Sequence, residues 1–268
     1  MSETVEYETI KVGVEGSLGR IHLNRPDARN PLNKQSSAEI LAALKQHFAD
    51  PAVCSLVISA EGDAYCAGGD LRQMKAFGSM PPTEAYAWPE DIVRAHKLML
   101  NAPKPVIAAV DGPAAAGGMG LAGMCDILVA TRRAKFSMPE VRVGLFPMII
   151  VAHLSRALPR KILMEMMFTG DSLSAEDAKA LGFVNRLAQD HDEMEKIVRS
   201  YAETFEKTAP TAMAMGRKCF TLLADLPASR ALDAAQFLNL PFFFGEELQE
   251  GAESFLERRK PQWRPLKG

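Results

Sequence analysis

A chain of 268 residues with 47% hydrophobic and 24% charged side chains has enough apolar mass for a substantial core, in one large domain or two small ones. Lys and Arg number 31 against 33 Asp and Glu, a net charge of −2, which excludes the basic surface of a general nucleic-acid binder. No apolar run approaches the roughly 18 residues of a membrane span, and the acidic start from Met1 to Glu8 is unlike a leader, so a cytoplasmic protein without nucleic-acid or membrane partners is expected. Cys54, Cys66, Cys125 and Cys219 show no CxxC spacing, which argues against a zinc knuckle or a disulfide framework.

Tyr7 to Leu23 carries two short alternating runs around Gly13, Gly16 and Gly19 and predicts a hairpin at the start of a sheet. Asn24-Arg25-Pro26-Asp27 ends it. Beyond Pro31, Ile40, Leu41, Leu44 and Phe48 recur at helical spacing as far as Asp50-Pro51, and Ser55 to Ser59 reads as a buried strand. The unit then repeats as a glycine loop from Gly62 to Asp70, a polar stretch with Pro81, Pro82 and Pro89, a helix to about Leu100, and a strand from Lys104 to Val110. A second glycine loop and a short helix, Asp111 to Met124, lead to a strand at Asp126 to Ala130. This alternation is the grammar of right-handed crossovers over a largely parallel sheet, an α/β fold with its working loops at the strand ends. After Phe136 helices dominate, with one further strand at Phe183 to Leu187. Ser174 before Asp177 and Asp190 before Glu193 mark helix starts. From Ala209 the chain is helical, with an aromatic run Phe242-Phe243-Phe244 and a basic end. Such a tail is expected to pack on the body or on a neighbouring subunit.

Several chemistries lack their sequence support. GxGxxG after the first strand, GxxxxGK[ST], HExxH and GxSxG are all absent. His22, His47, His96, His153 and His191 are scattered, and no metal site is expected among them. What remains is one carboxylate, Glu140, and two glycine-dense loops, Tyr65-Cys66-Ala67-Gly68-Gly69-Asp70 and Ala114-Ala115-Ala116-Gly117-Gly118-Met119-Gly120, each opening a helix. Free backbone amides at the positive end of a helix are fixed donors suited to a developing oxyanion. For either loop alone, tight turning or close packing accounts for the glycines equally well.

Taken together, the loops, the strand Pro105-Val106-Ile107-Ala108-Ala109-Val110-Asp111-Gly112 and Met124-Cys125-Asp126 resemble the crotonase (enoyl-CoA hydratase/isomerase) family. The likeness extends from Asn24-Arg25-Pro26 through Phe136-Ser137-Met138-Pro139-Glu140 and Phe168-Thr169-Gly170 to Arg258-Arg259-Lys260-Pro261, nearly the whole chain. It implies a spiral of ββα units over residues 1–205, a helical C-terminal oligomerisation region over 206–268, and assembly as a homotrimer or a dimer of trimers. It also implies an acyl-CoA substrate, with CoA entering as part of the thioester and no separate cofactor.

Carried over by position, the resemblance sets the thioester oxygen between the amides of Gly69 and Gly117. Glu140 matches the second of two glutamates with which hydratases of the family place water, while the first falls on Gly120. After Pro147, Met148-Ile149-Ile150-Val151 replaces a glycine-rich stretch and adds bulk, whereas Gly120 is expected to leave room for a water or a polar substrate group. The resemblance further assigns Ala67, Asp70, Leu71, Gly120 and Met148 to the substrate site, Arg72 to the CoA phosphates, Arg25 to the adenine end and Lys260 to CoA from a neighbouring subunit. Arg72 reads nearly as well as an exposed helical arginine, and Glu140 alone as a solvated helix-start carboxylate. A single glutamate supports double-bond isomerisation or, acting in turn as base and acid, hydration of a 2-enoyl-CoA. A non-catalytic acyl-CoA-binding protein, or a decarboxylase or thioester hydrolase built on the same oxyanion site, is the alternative.

Overall fold

The structure, a computed structural model, describes residues 7–264. Strands β1 (Ile10–Glu15) and β2 (Leu18–Leu23) form an antiparallel hairpin whose turn uses Gly16 at φ 60°, a conformation that glycine adopts without a Cβ clash. From β2 the sheet continues in parallel through β3 (Ser55–Ala60) and β4 (Val106–Val110). The next strand in the chain, β5 (Pro113–Ala115), leaves that sheet, and β6 (Ile127–Thr131) returns to it beside β4. Two further short strands, β7 (Lys135–Ser137) and β8 (Ser172–Ser174), join β5 in a separate three-stranded sheet, and β9 (Arg186–Ala188) closes the large sheet beside β6.

The large sheet is buried on both faces. Leu56, Ile58, Val106 and Ala108 point to one side, which is covered by α1 (Lys34–Ala49), with further helices and the small sheet completing that cluster. Val57, Ile107, Ala109 and Val129 point to the other, where Met194, Val198 and Ala202 of a long helix, His191–Glu206, seal them. The near-continuous apolar runs of β3 and β4 follow from this double burial. Helix α1 begins where the Asn33 side chain accepts from the Ser36 amide and Ser36 Oγ accepts from the Asn33 amide, a reciprocal cap worth about 1 kcal/mol.

The spiral of ββα units is visible in this exchange between sheets. Each unit lays one long strand in the large sheet and a short one in the small sheet, then enters a helix. Thus β4 and β5 are followed by the helix Gly117–Gly123, and a bridge between Cys66 and Ala114 adds the preceding unit to the same small sheet. In place of the single strand expected after Phe136 there are two of three residues each, β8 and β9, while β7 spans Phe136 itself. The last of them lies at Arg186–Ala188 rather than Phe183 to Leu187, because Phe183 and Val184 are spent as core residues against Phe136. Three residues carry no readable period.

The helices, in chain order after α1, are α2 (Leu71–Met74), α3 (Pro82–Ala87), α4 (Glu90–Leu100), α5 (Gly117–Gly123), α6 (Met148–Leu154), α7 (Arg160–Thr169), α8 (Ala175–Ala180) and α9 (His191–Glu206). The tail comprises α10 (Pro210–Ala224), α11 (Ala228–Leu238), α12 (Leu240–Phe243) and α13 (Glu246–Leu256). Arg217 of α10 is anchored to the body by a forked ion pair with Asp126 and a bond to the Lys104 carbonyl at 3.3 Å. The aromatic content of the tail does not pack on the body: Phe220, Phe237, Phe244 and Phe255 are each more than 70% exposed. No helix among the described residues is long and apolar enough to cross a membrane.

Candidate active site

The two glycine loops meet. Cys66 donates its amide to the Pro113 carbonyl at 3.2 Å and the Ala115 amide donates back to the Cys66 carbonyl at 2.9 Å, so the loops run side by side. A Cβ on Gly68, which sits at φ 90°, would lie 2.5 Å from Ala116 Cβ and 2.9 Å from the Ala115 carbonyl oxygen. Glycine is required there by contact as well as by conformation. Ala116 takes φ 50° and ψ −126°, a backbone region that costs a non-glycine residue about 1–3 kcal/mol. That turn starts α5 and points the next amide away from the strand.

Two backbone donors are thereby left free. Leu32 and the first loop bond through Leu32 N–H to Gly68 O and Asp70 N–H to Leu32 O, which turns the Gly69 N–H to the other side. The Gly117 N–H is at the first position of α5, ahead of any intrahelical acceptor. Neither amide has a partner among the described residues. Gly69 and Gly117 both line one cavity of about 410 Å³, together with Leu32, Ala67, Ala116 and Glu140.

Glu140 reaches this cavity from a short 3₁₀ turn, Pro139–Val143, with Pro139 at its first position. Its carboxyl is largely desolvated and its Oε2 is buried without a hydrogen-bond partner among the described residues, so burial raises its pKa above the usual glutamate value. A base with an unsatisfied lone pair in an apolar wall is poised to take a proton rather than to sit in an ion pair. Among the residues lining this cavity Glu140 is the one carboxylate.

The remaining residues assigned from sequence divide in two. Ala67, Leu71 and Met148 line the cavity beside Gly69 and Gly117. Arg25, Asp70, Arg72, Gly120 and Lys260 are not in its wall. Asp70 caps α2 by accepting from the Arg72 amide at 3.1 Å, and its other oxygen faces Arg25 Nη1 at 3.7 Å, so these two residues fix the first loop. Arg72 is exposed and has no ion-pair partner among the described residues. Lys260 is exposed beyond α13, and its neighbour Arg259 is held by Glu250 and Glu257.

Gly120 corrects an expectation. It leaves no room for a water or a substrate group, because a Cβ there would lie 2.1 Å from Ile150 Cγ2 and 2.8 Å from Ile150 Cβ. One turn on, a Cβ at Gly123 would meet Leu154 Cδ2 at 2.5 Å. The two glycines form a groove along α5 into which Ile150 and Leu154 of α6 are pressed, so the stretch after Pro147 adds its bulk as a helix packed on α5. Met148, Ile149 and Ile150 of that helix line the cavity. Sequence reasoning also passed over His96, a buried side chain in the same wall. Its position on the apolar face of α4 with Ile92 and Met99 was the available signal.

An α/β spiral whose paired glycine loops and one desolvated carboxylate line a single cavity defines an enzyme of the crotonase type. The family model for enoyl-CoA hydratase/isomerase matches residues 13–265. A Rhizobium meliloti protein named "Probable enoyl-CoA hydratase" is 32% identical over 97% of this chain and 99% of its own length. The enoyl-CoA hydratase structure from Mycobacterium smegmatis superposes with a TM-score of 0.86 at 33% identity, covering 96% of this chain and 99% of that one. One from Polaromonas sp. JS666 gives 0.89 at 32% identity, over 95% and 99%. The chain belongs to the enoyl-CoA hydratase/isomerase family.

Proposed function

We propose that this protein transforms an enoyl-CoA by stabilising its thioester enolate with the amides of Gly69 and Gly117 while Glu140 moves the proton. The observation that carries the reading is the meeting, in one cavity, of two unpartnered backbone donors and a desolvated carboxylate whose Oε2 has no partner. With the thioester oxygen between the amides, negative charge that develops on removal of a proton falls on donors already in place. In comparable sites one such donor contributes about 3–4 kcal/mol to the barrier. Glu140, raised in basicity by burial, takes the proton next to the thioester or at the γ-carbon.

Double-bond isomerisation is the direction the geometry favours. It needs one group that accepts a proton at one carbon and returns it at another, and Glu140 supplies that. Hydration needs a water held and deprotonated on one side and a proton delivered on the other. The position where a second carboxylate would stand is closed by Ile150. Hydration by Glu140 acting in turn is the second reading, favoured by the names of the relatives. CoA enters as part of the substrate, and we assign the protein no separate cofactor. Leu71, Ala67 and Met148 are assigned to the acyl and thioester walls. Arg72, exposed and without an ion-pair partner, is placed toward the CoA phosphates, as Arg25 is toward the adenine end and Lys260 toward CoA on a neighbouring subunit.

The tail residues 206–268 are read as the oligomerisation region over a catalytic core of residues 1–205. The exposed side chains of Phe220, Phe237, Phe244 and Phe255 support assembly as a homotrimer or a dimer of trimers. The deciding experiment incubates short, branched and long enoyl-CoA esters with the protein in heavy water and follows them by mass spectrometry. Deuterium uptake without a gain of water reports isomerisation, and a gain of one water reports hydration. In either case Glu140→Gln abolishes turnover while the ester still binds. Full activity in that variant would reject the mechanism.

A further inference from the structure

Besides Glu140, the cavity wall contains two titratable side chains, Arg142 and His96. Arg142 is turned outward, its Nε donating to the Thr169 carbonyl at 3.0 Å and its Nη2 to Asp171 at 2.6 Å. His96 has no such engagement. It is 5% exposed, it lines the cavity from α4, and its Nε2 is buried without a partner among the described residues. Behind it the His153 ring of α6 stands edge-on, 5.2 Å between centroids at 82°, and both nitrogens of His153 are likewise buried and unpartnered. Burial depresses both rings, to about 3 for His96 and about 4 for His153, so each is neutral near pH 7 and carries one N–H donor and one lone pair.

No side chain of the cavity lining hydrogen-bonds the His96 Nε2. Trp88, Ile92, Phe146 and Ile150 contribute large apolar surface to the same cavity lining. A hydrocarbon chain in that space leaves the imidazole unsatisfied, and a chain bearing an oxygen atom satisfies it. Buried polar groups in a protein interior are overwhelmingly paired, and an unpaired side chain in the wall of a ligand cavity marks where the ligand's own polar atom can belong. Sites built to hydrogen-bond a substrate oxygen reject the analogue that lacks it more strongly than apolar pockets reject an extra methylene.

We propose that His96, held edge-on by His153, is a specificity-determining residue that hydrogen-bonds a hydroxyl or carbonyl oxygen on the acyl chain, so that the preferred substrate is an oxygen-substituted acyl-CoA rather than a plain hydrocarbon one. The proposal rests on the acyl-CoA reading above and deepens it.

The test uses unreactive saturated acyl-CoA esters in pairs of equal chain length, one member plain and the other bearing a hydroxyl or an oxo group at successive positions. Binding is measured by calorimetry to the full chain. The oxygenated member at the matching position binds roughly threefold to tenfold more tightly to the wild type. That preference disappears in His96→Leu, persists in His96→Gln, which keeps a donor and an acceptor, and persists in Glu140→Gln. In nitrogen-labelled wild-type protein the oxygenated ligand shifts the His96 ring resonances more than its plain partner does, a signature that a purely structural histidine would not give. Equal binding of both members at every position, or a preference that survives in His96→Leu, overturns the proposal while leaving the acyl-CoA reading intact. Should His96→Leu fail to fold, the wild-type selectivity and the ring resonances decide. Failure of every ester to bind removes both.

Discussion

The contact between Gly120 and Ile150 makes a quantitative claim about why this chain has no side chain at position 120. Gly120→Ala drives a methyl to within 2.1 Å of Ile150 Cγ2, far inside contact distance, and the atom it meets belongs to a side chain that is itself 4% exposed and locked between α5 and the cavity. Overpacking of this kind costs about 1–3 kcal/mol. Ile150→Ala removes the obstructing atoms and leaves a void, at about 2–5 kcal/mol. In the double variant the new methyl occupies part of the volume that the isoleucine vacated, so the two penalties do not add. The double variant is expected to be more stable than their sum by about 1–3 kcal/mol. Urea unfolding of the wild type, both single variants and the double variant closes the cycle, read as midpoints at a constant slope. Additivity to within about 0.5 kcal/mol would refute the packing argument, since it would mean that position 120 and Ile150 do not compete for one space. The same cycle with Gly120→Glu adds activity as a readout: only the background lacking the isoleucine gives the introduced carboxylate access to the cavity.

Three further outcomes follow from the same geometry. Gly68→Ala is expected to cost about 2–5 kcal/mol, because its methyl meets Ala116 Cβ at 2.5 Å on a backbone at φ 90°, and to depress turnover by parting the two loops; thermal unfolding and steady-state rates check it. Glu140→Gln is expected to raise the melting temperature at pH 7. Burial lifts the folded-state pKa of the carboxyl above its unfolded value, so its protonated form is favoured in the fold and that stabilisation is lost as pH rises through the folded pKa. The gain from the amide therefore vanishes below about pH 4.5, and a pH-independent difference would contradict the assignment. His96 and His153 run the other way. With folded pKa values of about 3 and about 4, their neutral forms stabilise the protein above pH 6.5, and that contribution drains away as the pH falls. Each is expected to remove about 2 kcal/mol between pH 7 and pH 5, and His96→Asn to remove about half of the combined slope in denaturant titrations at the two pH values.

The parallel sheet was legible because β3 and β4 are buried on both faces and read as unbroken apolar runs. The two glycine loops were legible because glycine is the residue that a close loop-to-loop approach demands, and Gly68 shows that demand twice over. The short strands β5, β7 and β8 were not. Each has three residues, and what makes it a strand is a partner 20 or more residues away in the chain, such as Ala114 beside Phe136. Ala116 was also opaque, since an alanine held at positive φ looks in sequence like its two alanine neighbours. Position 120 illustrates a more general limit. A glycine there signals either space or contact, and only Ile150, thirty residues further on and brought up by α6, decides between them.

That decision bears on the chemistry. In place of a second carboxylate, the wall between α5 and α6 presents an aliphatic side chain toward the cavity and keeps two neutral imidazoles behind and beside it. In the proposed mechanism proton transfer is left to Glu140, whose basicity rises because burial desolvates its carboxyl. With Ile150 removed, a second acid placed at position 120 would share the cavity with Glu140, and two like charges there would raise one another's pKa, leaving one of them protonated near neutrality. Removing that partner leaves Glu140 ionised more readily than it would be beside a second carboxylate, although less readily than in water. In that mechanism an unpartnered base sharing a cavity with two fixed amide donors suits abstraction of a carbon-bound proton better than delivery of one to a leaving water. On the proposed mechanism, the packing of Ile150 against Gly120 acts on the reaction through electrostatics as well as through shape.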